Sequence, residues 1–588
     1  MREPVKKYLF LIGTIICLCA CACACGRPAD EAVFTPFVYT DGGSETVPEG
    51  CYSNPILKGF YPDPSICRKG NDYYMVTSTF QYFPVIPVFH STDLVHWEQC
   101  GSVLDSDAQI SFTRKKMNLG NFAPGISFNP SDGKFYVACT QVGGGLGNWY
   151  CTSEDPASGK WEGPFVIKGV RGIDPEFFFD GDGRSWYLTC TSPEDAGSSR
   201  RYPGEFAIVM WEFDCARQEI CSSPQIIARG GARPEERPEN LEGPHLFKVD
   251  GEYFLICAEG GTERFHREVA FRSSSLEEPF EPCAINPILT QKDLPAERAE
   301  MVTCTGHADM VQTPGGKWYS VFLGCEPYDG EEFFNTGRES FLLPVDWSSG
   351  QPVILENGCS VPLMVKMDEE MKTACEANAI SGFDAGNPGP LWGSEGLAPF
   401  AMTIRGSLEG RSGFDRRGRL HLACSGISLD SLDRPSAVLQ RIASKTFMSE
   451  TVMDFTPAEG QEAGLLCWYD DDHYAKLVKC LDRSGRAVIV LMHRSTPPND
   501  KFEGYRTERS ESMLLQVSSV ALEGKAATLP LALRIEAHTP EEYVFSYAVV
   551  DGGKTGEFIP VGSPVDARTL STRHCAGHQG TMVGVYAY

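Results

Sequence analysis

The sequence predicts an all-β chain: a five-bladed β-propeller followed by an antiparallel β-sandwich. Three observations carry that reading. Five stretches between residues 63 and 324 repeat one plan: a polar start, a short strand, a Gly-containing turn and an aromatic second strand. They start at Asp63, Pro124, Asp174, Glu242 and His307, so they lie 50 to 68 residues apart, long for one hairpin and right for a four-stranded blade. Beyond residue 370 the texture changes to longer strands of period two, with turns such as Asp482-Arg483-Ser484-Gly485 between them, the spacing of a sandwich.

Taken in order, Met1 to Lys7 carries Arg2, Lys6 and Lys7, and Tyr8 to Cys25 is apolar or small. A charged start before so short an apolar run reads as a secretory signal rather than a membrane span. Leu18-Cys19-Ala20-Cys21 has the pattern of a bacterial lipobox, which predicts a signal over residues 1–20 and acylation of Cys21. Cys23 and Cys25 are the frame-shifted alternatives, and a soluble secreted protein is the simpler one. Residues 21–50, rich in Ala, Gly, Thr, Glu and Pro, are expected to be a flexible tether that attaches the protein to a membrane through its lipid.

The propeller is assigned to residues 51–366. It opens on Asn54 to Ile66, in which Asp63 stands between Pro62 and Pro64. Each proline fixes its own φ and pushes the residue before it into extended backbone, so Asp63 enters its strand in one stiff orientation. A lone Pro-Asp-Pro is ordinarily a turn. Here the pattern recurs, and equivalent positions of a propeller lie on a ring, so Asp63, Asp174 and Glu242 are expected to converge at one mouth. Three carboxyl groups in a confined site repel and raise one another's pKa, an arrangement that serves catalysis better than stability. Gly337 to Trp347 closes the propeller, Met367 to Ala377 forms a short connector, and residues 371–588 make the sandwich, with strands at Lys476-Leu477-Val478, Ala487 to Met492, Leu531 to Ala537 and Tyr543 to Val550.

Composition narrows the function. A formal net charge of −26 opposes nucleic acid and anionic substrates, whereas a neutral glycan is unaffected. Of the 23 cysteines, those at 17, 19, 21, 23 and 25 lie in the N-terminal apolar run, and Cys139, Cys190, Cys257, Cys467 and Cys480 sit in apolar strands as small hydrophobes. Few disulfides or none are expected, and no cysteine spacing matches a zinc site.

The runs NPILKGFYPDPSI, TSTFQYFPVIPVFHSTDLVHW, GIDPEFFFD, EGPHLFK, GHADMVQTPGGKWYSVFLG and GRESFLLPVDW together resemble glycoside hydrolase family 43, in particular its β-xylosidase branch. GLLCWYDDDHYAKLVK and the terminal GTMVGVYAY resemble the concanavalin-like sandwich of that branch. The resemblance implies an inverting exo-glycosidase that removes xylose from the non-reducing ends of xylo-oligosaccharides. It makes Asp63 the general base, Glu242 the general acid, and Asp174 the residue that orients the acid and keeps it protonated. It makes Arg338 a substrate-binding arginine, and it places His307 beneath the pocket, where some members hold a central ion. A structural calcium in the channel is therefore expected at most, with no cofactor required.

Phe80, Tyr82 and Phe83 offer aromatic faces for a sugar, Phe80 foremost. Where many members read Trp-Ala-Pro-Asp, this chain has Phe122-Ala123-Pro124-Gly125, which is expected to alter the sugar-facing wall. An α-L-arabinofuranosidase or bifunctional enzyme and a non-catalytic glycan-binding lipoprotein are the alternatives. Self-association is left open.

Overall fold

The computed structural model describes residues 30–496 and 512–588, apart from positions 44, 45, 113, 297, 299, 329, 331, 332, 379–381, 383, 385 and 386. The signal and Cys21 lie outside the described residues. No helix among the described residues is long and apolar enough to cross a membrane.

The five repeats are blades. Their innermost strands are Ser65–Lys69, Gly120–Asn129, Ile173–Phe179, Glu242–Val249 and Thr303–Gln312. Each packs against the next and the fifth packs against the first, which closes the ring. Each is followed by an antiparallel partner rich in apolar and aromatic residues, such as Ser185–Thr191 and Trp318–Cys325, that fills the space between blades. The closure is made by the chain start: Leu57 exchanges backbone hydrogen bonds with Ser340, and Asn54 bonds both the N–H and the C=O of Leu342.

One local device is repeated five times. At Ala123-Pro124, Asp174-Pro175, Gly243-Pro244 and His307-Ala308 two residues of the inner strand face one residue of its partner. Asp63-Pro64 does the same at the edge of the first blade, where the Ser78 N–H donates to the Pro62 carbonyl and Ser65 faces Val76. These are β-bulges, which bend a strand and re-aim a side chain. The first residue of each has positive φ: 54° at Asp63, 26° at Ala123, 52° at Asp174, 57° at Gly243 and 51° at His307, so Asp63 is not in the extended backbone that its place before Pro64 predicts, because the bulge overrides that preference. Proline at the second position removes an N–H that the bulge would leave unpaired.

The bulges correct one sequence expectation. Glu242 is not equivalent to Asp63 and Asp174 but stands one residue earlier, at the position of Pro62 and Ile173. Gly243 takes the ring position because a Cβ there would lie 2.7 Å from the His307 ring.

Asp368 caps the connecting helix Glu369–Ala377 by accepting from the Met371 N–H. The sandwich then packs a six-stranded sheet on a ten-stranded one around a single apolar core. All four strands expected from the sequence are present, inside His473–Leu481, Ala487–Ser495, Leu531–Thr539 and Glu542–Asp551.

The expected tether is corrected in part. Glu31–Phe34 and Val38–Asp41 are strands of the sandwich, paired with Phe447–Asp454, and bury Ala32, Phe34, Phe37 and Tyr39 completely. Their alternation of apolar and polar residues suits a half-buried strand.

The two domains are bolted together through charged groups. Arg405 Nη2 donates to both carboxylate oxygens of Asp471, at 2.7 and 2.8 Å, and the guanidinium reaches the Gln81 side chain and the Lys115 carbonyl of the propeller, while Arg441 covers the ring of Tyr61 and donates to the Phe60 carbonyl.

Candidate active site

Asp63, Asp174, Glu242, His307 and Arg338 line one pocket of about 270 Å³ at the mouth of the propeller, with Phe80 and Phe122 on one wall. Seven of the nine sequence-predicted site residues among the described residues are therefore gathered there. Tyr82 and Phe83 are not. They pair with Thr403–Ile404 and pack into core.

Asp63 accepts from Arg338 Nη1 at 3.0 Å and from Ser78 Oγ at 2.6 Å. Ser78 is held in turn by the Ala123 N–H at 2.7 Å. Burial alone would raise the Asp63 carboxyl, but the charges of Arg338 and His307 and the Ser78 hydroxyl outweigh it and hold it below the ordinary aspartate range. Asp174 accepts from the Gly243 N–H at 3.2 Å, and its Oδ2 lies 3.5 Å from His307 Nε2. Carboxylate oxygens of Asp174 and Glu242 come within 4.8 Å of each other. Glu242 is pushed up to about 8, first by burial and then by the Asp174 charge, while His307 is raised to about 9, against burial, by its bond to Asp174 and the surrounding carboxylates. The pocket thus holds one carboxyl driven toward ionisation and another driven toward protonation.

Sequence reasoning missed a contribution from the sandwich. His578 reaches into the pocket from the loop before the last strand; its ring stacks on Phe80 at 5.8 Å and 9°, and its carbonyl accepts from Arg338 Nη2 at 3.1 Å. Burial, then the nearby Arg338 charge, lower it to about 3, so the ring is neutral. The approach depends on two facing glycines. A Cβ on Gly337 would lie 2.9 Å from the Gly580 backbone, and one on Gly580 would lie 2.6 Å from the Thr336 carbonyl. A histidine between Gly577 and Gly580 was the available signal. Thr262, whose Oγ1 accepts from Arg338 at 3.1 Å, was also missed.

Beneath the pocket lies a second ring, two residues further along the inner strands: Ser65, Gly125, Glu176, His245 and Asp309, all buried. Its side chains bond sideways to the next blade. Asp309 accepts from the Ile66 N–H and from Ser65 Oγ, both at 2.8 Å; Ser65 Oγ accepts from the Ile126 N–H; Glu176 accepts from the Leu246 N–H and pairs with His245 at 3.1 Å. Gly125 belongs to this ring, where a Cβ would meet the Pro175 carbonyl at 2.6 Å. The missing acid of the Phe-Ala-Pro-Gly run therefore changes the buried ring and not the sugar-facing wall, which is altered by Phe122 alone.

The residues around His307 supply only part of a calcium site. Calcium takes six to eight oxygens. The carboxylates of Glu176 and Asp309 are already bound to His245 and backbone N–H groups, His307 Nε2 faces Asp174, and the ligand atoms that converge at this floor are those of Asp174, Cys190 and Glu242, a sulfur-containing set, which leaves the buried His307 Nδ1 and Glu268 Oε1 without a partner among the described residues. Every cysteine among the described residues is a free thiol.

Comparison with known proteins gives consistent results. The profile of Glycosyl hydrolases family 43 matches residues 52–352, and that of the Beta xylosidase C-terminal Concanavalin A-like domain matches residues 402–588. A xylosidase/arabinosidase of Butyrivibrio fibrisolvens is 35% identical over 72% of this chain and 79% of its own. A non-reducing end α-L-arabinofuranosidase of Bacteroides ovatus is 34% identical over 91% of both chains. Among solved structures, a GH43_12 protein from a capybara gut metagenome superposes with a TM-score of 0.82 at 31% identity, covering 95% of this chain and all of its own. Xylan β-1,4-xylosidase from Bacillus halodurans gives a TM-score of 0.76 at 28% identity, over 91% of this chain and 96% of that one.

Proposed function

The chain belongs to glycosyl hydrolase family 43 and is a glycoside hydrolase, and from that premise we propose that it is an inverting exo-β-xylosidase acting on the non-reducing ends of xylo-oligosaccharides. The observation that carries the mechanism is the opposite treatment of two carboxyl groups in one pocket. Asp63 is paired with Arg338, and Glu242 is crowded by Asp174.

The terminal sugar enters against Phe80, Phe122 and His578. Asp63, ionised, takes a proton from a water on one face of the ring as that water's oxygen bonds to the anomeric carbon. Glu242, protonated, gives its proton to the departing glycosidic oxygen. Inversion needs the acid and the base roughly 6.5–9.5 Å apart so that a water fits between base and sugar. Asp174 makes ionisation of Glu242 costly, and Arg338 balances Asp63 while presenting an N–H to a sugar hydroxyl. A pocket closed at its floor by His307 suits removal of one unit at a time. A pure binder would gain nothing from mutually repelling carboxylates.

A second reading, α-L-arabinofuranosidase or bifunctional activity, is favoured by the Bacteroides ovatus relative, which matches nearly the whole chain. Initial rates on nitrophenyl β-xyloside and nitrophenyl α-L-arabinofuranoside decide between them. Higher kcat/KM on the xyloside is expected, and turnover of neither would overturn both readings.

The exported, lipid-anchored state belongs to the same proposal, supported by the charged start, the short apolar run and the lipobox pattern at Cys21. Cys21→Ala is expected to move the protein from the membrane fraction to the soluble one.

A further inference from the structure

The far end of the propeller, opposite the catalytic mouth, carries a set of metal-ligating side chains that the reaction does not use. In the first blade Ser65–Lys69 runs away from the mouth, Asp72–Val76 returns and Val85–Ser91 runs away again, so the turn after Ser91 lies at that far end. There it meets the connecting helix Glu369–Ala377: Asn378, the residue after the helix, donates to Asp93 Oδ2 at 2.7 Å and accepts from Thr92 Oγ1 at 2.9 Å. At this junction the ligand atoms of Asp93 and His96, from the turn, and of Cys375, from the helix, lie within 4.8 Å of one another.

Two independent features of the junction favour a cation. The Asp93 side chain is completely buried, and among the described residues no lysine or arginine pairs with it; it faces His96 Nδ1 at 2.7 Å, the Asn378 amide and the Val95 and His96 N–H groups. A buried carboxylate without a permanently charged partner is costly. Cys375 sits in the last turn of the helix, where the backbone carbonyls concentrate negative partial charge and no basic residue offsets it. The donor types then select the ion. Calcium and magnesium take oxygen, whereas one carboxylate oxygen, one imidazole nitrogen and one thiolate sulfur form the mixed set that zinc accepts in four-coordinate sites. Met367 Sδ, 3.6 Å from the Cys375 sulfur, adds a polarisable atom beside the thiol.

We propose that Asp93, His96 and Cys375 bind one zinc-class divalent cation that pins the connecting helix to the first blade. The thiol gives up its proton, the imidazole coordinates through Nδ1 and keeps its proton on Nε2, and the carboxylate and thiolate together balance the two positive charges. Asn378 stays hydrogen-bonded to the carboxylate and orients it. Bonds of about 2.0–2.3 Å at tetrahedral angles set the ligand atoms about 3.3–3.6 Å apart. His96 therefore withdraws slightly from Asp93, which a side chain 42% exposed allows, and that exposed side leaves the fourth position to water.

The test uses the full-length protein, treated with chelator, freed of it and titrated with zinc chloride. One equivalent should bind, and binding should raise Tm by a few degrees. Cobalt chloride in place of zinc should give the thiolate-to-cobalt charge-transfer band and the strong visible absorption of a four-coordinate site. His96→Ala and Cys375→Ser should each weaken zinc binding more than about 100-fold, and Asn378→Ala, which acts through the carboxylate, about 10-fold. Cys221→Ser, at an exposed thiol elsewhere on the propeller, should bind zinc as the wild type does. No binding by the wild type, a cobalt spectrum without the charge-transfer band, or binding undiminished in both His96→Ala and Cys375→Ser would overturn the site.

Discussion

The two rings of the propeller occupy the same five strands, two residues apart, and have opposite characters. The upper ring, Asp63, Ala123, Asp174, Gly243 and His307, sits on the bulges with positive φ, and all of it but Gly243 lines the pocket. Backbone in that region costs on the order of 1–3 kcal/mol per non-glycine residue and persists where its surroundings hold it. The lower ring, Ser65, Gly125, Glu176, His245 and Asp309, is enclosed, and its charged members satisfy one another and the backbone of the next blade. One repeat thus carries unresolved charge where chemistry is done and resolved charge where the blades are joined. The difference teaches that burial of a carboxylate in this fold is not by itself a mark of catalysis. What distinguishes the upper ring is the carboxyl at its edge, Glu242, which burial and the Asp174 charge drive toward protonation beside an Asp63 that Arg338 holds ionised.

The sharpest break between the rings is expected in activity. Glu242→Ala should lower kcat/KM on xylobiose by roughly 10²–10⁴-fold, the usual worth of a general acid, and by far less on dinitrophenyl xyloside, whose leaving group needs no proton. Asp63→Ala should lose both substrates alike, for want of an activated water. Glu242→Ala should not lower Tm appreciably, since it removes one of several repelling carboxyl groups, whereas Asp63→Ala leaves buried Arg338 without its carboxylate partner and should lower it. Equal loss on both substrates for Glu242→Ala would remove it from the role of acid.

The converse is expected below. Asp309→Ala strips Ser65, the Ile66 N–H and His245 of their partner, and removing one member of a buried charged set costs about 3–5 kcal/mol. The apparent Tm should fall by roughly 5–15 °C. Folded enzyme should keep kcat/KM within a few-fold. Loss of activity without loss of Tm would assign the lower ring to catalysis.

A smaller effect links the two. Glu242 must be protonated to act, so activity is lost as pH rises through its pKa, about 8, while Asp63 must be ionised, so activity is lost as pH falls through its lowered pKa. Asp174→Asn removes the charge that is the second cause of the Glu242 shift. The basic limb of kcat/KM should then move to lower pH by on the order of one unit, with the acidic limb little changed. An unmoved basic limb would leave burial alone to hold the proton.

Much of the upper ring was legible because proline marks it. Pro64, Pro124, Pro175 and Pro244 follow four of the five ring positions, and strand-turn-strand texture placed the blades. The registry of Glu242 was not legible, since a two-against-one bulge shows itself only once the partner strand is aligned. The lower ring left a fainter signal: Glu176, His245 and Asp309 are charged or titratable residues inside otherwise apolar strands, and a sequence does not tell which of two inward positions meets solvent. Residues 31–41 alternate too briefly to stand out from a polar leader, and their partner Phe447–Asp454 lies some 400 residues on. His578 was hidden for the same reason: the sandwich was read as a separate body, and only docking brings its loop to Arg338.

The account turns on Asp63 acting through water and not as a nucleophile, and proton NMR of the first product formed tests that most directly. Hydrolysis of a β-xyloside should release α-xylose first, with the β anomer growing in later by mutarotation. β-Xylose as the first product would mean a covalent sugar-enzyme intermediate and would contradict the roles given to Asp63 and to the water beside it.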